Sequence, residues 1–207
     1  MKKNIVISSI AIIVVTVAVA VTAYILSFHH VTVSLQSPDI AGNIVQVDTA
    51  GRTTRTISAV PTTKPVSLQD GKYAFIASGT VYDASPIFFQ VTGHDTSVTV
   101  NPSYSTSHLQ ALLQNELPTL SALIQSTYST RLESYKVSAG ALYQKGEWYG
   151  TTIVGNPTPD GAFGDTYHVV LQKVNGTWQI VTTPEIVLTT HSYPNIPKSI
   201  LTAVNNL

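Results

Sequence analysis

The chain has 207 residues, no cysteine, and 11 basic side chains against 11 acidic ones. That balance, without a basic stripe, excludes the electrostatic footprint of nucleic-acid binding. The missing cysteines exclude disulfides, thiol nucleophiles and a lipoprotein anchor.

The first element is Ile5 to Phe28, which carries no charge and follows Lys2 and Lys3 directly. As a helix it would rise roughly 36 Å, enough to cross a ~30 Å hydrocarbon core. The expectation is a transmembrane signal-anchor with residues 1–4 in the cytoplasm, so that everything from His29 onward is extracytoplasmic. Tyr24 and Phe28 would sit at the outer headgroups, with His29 and His30 as spacers. A cleaved signal peptide is the alternative, since Ala18-Val19-Ala20 and Val21-Thr22-Ala23 have A-x-A-like spacing. A pilin-like helix is a third, although the glutamate and glycine of processed type IV pilins are missing. The localisation expected is the cell membrane, and the partners expected are the lipid bilayer through Ile5–Phe28 and a surface or membrane-complex protein.

From His29 onward nine basic residues face eleven acidic ones, in a stretch rich in Val, Thr and Tyr, which favour pleated structure. A first module spans 31–101. Val31–Leu35 and Ile44–Thr49 alternate with period two. Arg52 to Pro65 reads as a weak strand and then a loop. Asp70-Gly71 is a turn signal, and Tyr73, Phe75 and Ala77 follow on one face. Ile87, Phe89 and Val91 make the next strand, Gly93 to Asp95 a turn, and Val98 with Val100 the last strand. The run Leu68-x-x-Gly71-x-Tyr73, Gly79-x-x-Tyr82, Phe89-x-Val91 and Val98-x-Val100 resembles PEGA, or carboxypeptidase-regulatory-like, modules. That resemblance implies a prealbumin-like β-sandwich used as a spacer.

A second module spans 105–207. Leu109, Leu112, Leu113, Leu117, Leu120, Leu123 and Ile124 recur at helical steps. Ser107 or Thr106 is the expected N-cap, and Pro118 either kinks the helix or starts a second one. Tyr135 to Tyr143 alternates as one strand and Trp148 to Val154 forms the next. Gly155 to Gly164 is a loop, and Tyr167, Val169 and Leu171 alternate again. Asn175-Gly176 predicts a type I′ hairpin turn between that strand and one spanning Trp178–Leu188. Ile200, Leu201 and Val204 close the chain as a short helix with Pro197 in its first turn. Tyr167 to Ile180, with Asn-Gly before a core Trp178, resembles the terminal hairpin of NTF2-like or cystatin-like rolls. The fold class expected is therefore one transmembrane helix, an all-β sandwich, and an α+β roll with helices packed on one face of an antiparallel sheet.

No motif for a phosphate loop, a dinucleotide fold, a zincin or a nucleophile elbow occurs. His168, opposite Tyr167, Val169 and Leu171, is the one catalytic candidate, as an acid or base in a pocket of the roll. His94 and His191 fall in loops. Asp160 and Asp165 lack calcium-ligand spacing, Glu133 and Glu147 read as surface charges, and no histidine pair suits zinc. No cofactor and no metal are expected. Tyr143, Trp148, Tyr167 and Trp178, with Tyr135 and Tyr149, could line a binding concavity, or simply be core. The function expected is a binding or scaffold protein without catalysis. The alternatives are an acid–base enzyme or ligand binder using the pocket of the roll, or a pilin-like or secretion-machinery subunit. The bitopic plan with an NTF2-like head resembles the inner-membrane assembly subunit of type IV secretion systems.

Overall fold

The computed structural model of the chain describes residues 16, 17, 21, 22, 24, 27–62, 64–132, 134–156 and 164–207. The chain divides into two compact units, Met1–Pro102 and Ser103–Leu207.

The membrane-spanning expectation is corrected at the outset. Most of Ile5–Phe28 lies outside the described residues, but its expected last residue, Phe28, opens a β-strand and pairs with Gln69. Among the described residues no helix is long and apolar enough to cross a membrane. The single-pass anchor and the cell-membrane localisation are overturned with it. The described residues within that run, Thr16, Val17, Val21, Thr22 and Tyr24, are helical, but they make no helix of spanning length. His29 and His30 are strand residues rather than headgroup spacers. His29 Nε2 lies 3.2 Å from Asp70 Oδ1, and the His30 N–H donates to Asp95 Oδ1 at 2.7 Å.

The first unit is all β. Its strands are β1 (Phe28–Leu35), β2 (Gly42–Val47), β3 (Thr53–Val60), β4 (Val66–Gln69), β5 (Gly71–Ala77), β6 (Ile87–Val91) and β7 (Thr96–Val100). They form a three-stranded sheet in the order β4-β1-β7 and a four-stranded sheet in the order β3-β2-β5-β6. β1 runs antiparallel to β4 and parallel to β7. Alternation decides what is buried: Val31 and Val100 in the first sheet, and Ile44, Phe75 and Val91 in the second, are fully enclosed. Asp70-Gly71 is not a hairpin. β4 and β5 belong to different sheets, and the chain changes sheet at Asp70, whose carboxylate accepts from the Gly93 N–H at 2.7 Å. The weak strand expected in the first part of Arg52–Pro65 is the full strand Thr53–Val60.

The second unit opens with helix α1 (Thr106–Thr127), followed by the short α2 (Ser129–Leu132). Ser105 is the N-cap, one residue before the expected position, and accepts from the His108 N–H at 3.2 Å. Pro118 lies inside α1 and does not divide it. Then come β8 (Tyr135–Val137), β9 (Ala141–Tyr143), a 3-10 turn at Gln144–Gly146, β10 (Trp148–Gly155), β11 (Thr166–Val174), β12 (Thr177–Ile180) and helix α3 (Lys198–Val204). The sheet order is β12-β11-β10-β8, with β9 also on β10. Asn175 and Gly176 both take positive φ, 50° and 80°, as a type I′ turn requires. Residues 157–163, which include Asp160, and residue Glu133 lie outside the described residues.

The expectation that helices share one face of this sheet is also corrected. On one face α1 places Leu120 and Ile124 against Tyr149, Ile153, Val169, Leu171 and Trp178. On the other, Ile200, Leu201 and Val204 of α3 pack with Trp148, Val170 and Leu188. The cause is written in β10 and β11. Six successive residues from Trp148 to Ile153, and four from His168 to Leu171, are buried, which happens only where both faces are covered. The described chain is thus mostly β-sheet, with α1 and α3 as its packed helices.

Candidate functional site

The sheet edge opposite β12 is formed by β8 and β9 rather than by one continuous strand. β8 pairs with β10 through Val137↔Ile153, and β9 through Ala141↔Gly150. Between these pairs β8–β9 has one more residue than β10, a bulge at 138–140. Gly140 is required there, because a Cβ at that position would lie 2.2 Å from the Gly150 carbonyl oxygen and 2.6 Å from the Tyr149 ring. Thr151 Oγ1–H donates to the Ser138 carbonyl at 2.8 Å and pins the bulge.

α1 borders this edge along two clefts. Near its start a cleft of about 360 Å³ lies between Leu109 and Leu113 and the β9 residues Ala141 to Tyr143. Further on, a cleft of about 810 Å³ opens between Leu117, Ser121 and Gln125 of α1, Ser129, the β8 edge from Tyr135 to Ala139, and Tyr149. It is the largest of the described clefts. Its walls offer hydroxyls, an amide, two aromatic rings and strand backbone, with Lys136 as the one charged lining residue. Burial raises the Tyr149 hydroxyl above its ordinary pKa of 10.0, so it stays protonated. α1 has leucines enough to cover more than it does: Leu109, Leu112, Leu113, Leu117 and Leu123 are only half-buried, while Leu120 and Ile124 are enclosed.

A more charged cleft of about 400 Å³ gathers Tyr104, His108, Glu116, Lys145, Glu147 and Lys173. Both oxygens of Glu116 are engaged there. Lys173 Nζ donates to Oε1 at 2.5 Å and Trp178 Nε1–H to Oε2 at 2.8 Å. The Lys173 hydrogen bond first, then that of Trp178, holds the Glu116 carboxyl below its ordinary value of 4.5. Lys173 also lies 5.4 Å from the centre of the Trp178 ring, and Lys145 5.9 Å from that of Tyr104. The Glu116–Lys173 pair and the Trp178 N–H fasten α1 to β11 and β12.

The residues singled out in the sequence are dispersed. His168 is 8% exposed on the face covered by the C-terminal segment, where its Nδ1 donates to the Ile186 carbonyl at 2.9 Å. Its backbone bridges Glu185 in both directions. His168 lines neither the 810 Å³ cleft nor the charged one. Trp148 and Tyr143 lie together on the α3 face. Trp178 and Tyr167 lie on the α1 face, Trp178 edge-on to Tyr149 at 6.5 Å and Tyr167 edge-on to Tyr135 at 5.7 Å. No single concavity receives all four. Only their neighbours Tyr135 and Tyr149 reach the large cleft. Sequence reasoning passed over Ser121, Gln125 and the backbone at 136–139. The available signals were the polar residues interrupting the leucine face of α1 and the Ser-Ala-Gly run that loosens the edge. Among the described residues no group of three or more His, Asp or Glu could hold a metal ion.

No family model matches this chain, and neither the curated proteins nor the solved structures contain a match to it.

Proposed function

We propose that the chain is a non-catalytic binding protein whose α+β unit holds its ligand in the cleft between α1 and β8. The observation that carries this reading is the lining of that cleft. Leu117, Val137 and the rings of Tyr135 and Tyr149 offer apolar surface, while Ser121, Gln125, Ser129 and Ser138 offer neutral hydrogen-bonding groups. Ligand sites are commonly built this way, from apolar walls with a few placed polar groups. Acid–base catalysis most often uses a histidine or a carboxylate within reach of the substrate, and the lining residues include neither. His168, the candidate for that role, is turned to the other face of the sheet and hydrogen-bonded to Ile186.

The test is a screen of neutral fragments against the full chain by ligand-observed NMR, repeated with Ser121→Trp. Ser121 is half-buried and faces the cleft, so an indole there fills it. Binders that Ser121→Trp displaces support the reading. Binders that persist undiminished on a folded Ser121→Trp chain would overturn it.

A further inference from the structure

We infer that the occupant of this cleft is an extended acidic peptide segment that pairs with β8 as an added strand. The inference rests on the binding reading above and gives it a ligand class. Its first support is the direction of the β8 backbone. The Asn156 N–H donates to the Ser134 carbonyl and the Ser138 N–H to the Thr152 carbonyl, each at 2.9 Å. Bonded pairs alternate along an antiparallel ladder. Residues 134, 136 and 138 therefore bond towards β10, and Tyr135 and Val137 aim their N–H and C=O groups away from it. Among the described residues β8 is the last strand of its sheet, and its residues from Tyr135 to Val137 line the cleft. An edge strand presenting a row of such groups is a template for one more strand, and extended peptides bind other domains in this manner.

The second support is charge. Lys136 is exposed and is the one charged residue of the lining. An extended segment with an Asp or Glu opposite Lys136 would pair with that charge. Side chains alternate across a strand. The peptide residues flanking that acidic position would therefore turn to the other side, towards Leu117, Val137 and the Tyr135 ring. The bulge at 138–140 sets the length. β8 and the first bulge residues span five positions, roughly 17 Å at ~3.3 Å per residue, which suits a peptide core of about five residues. Beyond the bulge the edge passes to β9, where the cleft beside α1 narrows to about 360 Å³.

The probe is a phage-displayed library of random heptapeptides panned against the full chain, with selected sequences synthesised and titrated by fluorescence anisotropy. The selected peptides are expected to carry Asp or Glu. Methylating alternate backbone amides of a selected peptide should weaken binding at least 10-fold in one phase and leave it unchanged in the other. Lys136→Glu should weaken binding at least 10-fold and turn a repeated selection towards Lys and Arg. A library that yields no binder, peptides indifferent to both phases of methylation, or affinity untouched by Lys136→Glu would overturn the inference. Self-association of the chain that excludes every peptide would make the occupant a second copy and overturn it too. Ser121→Trp separates the two readings. If fragments bind and Ser121→Trp displaces them while no peptide does, the peptide fails and the cleft stands. If peptides bind a folded Ser121→Trp chain as well as the parent, the peptide is not in the cleft and the inference fails, while the fragments alone decide the cleft.

Discussion

Val204 of α3 lies directly on the backbone of Gly150 in β10: a Cβ at position 150 would come within 2.2 Å of Val204 Cγ2. Glycine here allows the helix to sit close to the sheet. The contact is one of close approach rather than of an unusual backbone angle, since Gly150 is not among the glycines with positive φ.

Gly150→Ala should therefore lift α3 and destabilise the second unit by about 1–3 kcal/mol, the usual cost of overpacking a filled interior. Val204→Ala alone leaves a small void. In the double variant the added methyl enters the space vacated by Val204, so the loss should fall short of the sum of the single losses by more than about 0.5 kcal/mol. Urea titration followed by tryptophan fluorescence reads this, since Trp148 is in the same cluster.

Glu116 links α1 to the β11–β12 hairpin through Lys173 and Trp178. Its carboxyl is held below the ordinary value, so the folded state takes up a proton less readily than the unfolded one. The stabilisation is complete above about pH 4.5, the unperturbed value, and is lost as pH falls through the lowered one. Glu116→Gln should cost about 1 kcal/mol at neutral pH and flatten the acid limb of a plot of midpoint against pH. An unchanged acid limb would contradict this assignment.

His168→Phe removes the donor to the Ile186 carbonyl, which lies in an exposed stretch where water can replace it. Stability should fall by about 1 kcal/mol or less. Binding in the α1–β8 cleft should be unaltered within twofold, because the two sites lie on opposite faces of the sheet. A loss of binding at unchanged stability would return His168 to the functional site.

Gly176→Ala tests the hairpin in isolation, because nothing lies within 4 Å of the Cβ it would add. Any loss is then conformational, about 1–2 kcal/mol for holding alanine at a φ of 80°. Thermal unfolding followed by circular dichroism would show a lowered midpoint with an unchanged folded spectrum.

Local signals carried through to the structure where chemistry and geometry coincide at short range. Asn175-Gly176 is a turn because few residue pairs accept two positive φ angles. The leucine spacing in α1 is helical, and Pro118 is carried within that helix. Sheet membership was harder to see. Asp70-Gly71 resembles a hairpin turn, yet the strands on either side of it join different sheets, which only the long-range partners Phe28 and Gly42 decide. Tyr135 to Tyr143 reads as one strand because alternation is blind to an inserted residue, and the bulge at Gly140 is visible only against Gly150. The aromatics were read as a cluster although neighbours in sequence, Trp148 and Tyr149, point to opposite faces. Ile5–Phe28 shows the same limit in another form, since the absence of charge does not by itself specify a membrane span.

The parallel pairing of β1 with β7 has a consequence for how the first unit is made. Val31 to Leu35 find their partners at Thr96 to Val100, so one sheet is completed by strands from the two ends of the unit's chain. On the ribosome, β2, β3 and β5 can pair as they emerge, while β1, made first, must wait for the last strand on that side. Closing so long a loop is slow. A nascent chain arrested before Thr96 should therefore hold its four-stranded sheet and the β1–β4 pair, leave Thr32 to Leu35 accessible to protease, and protect them on release of residues 96–100.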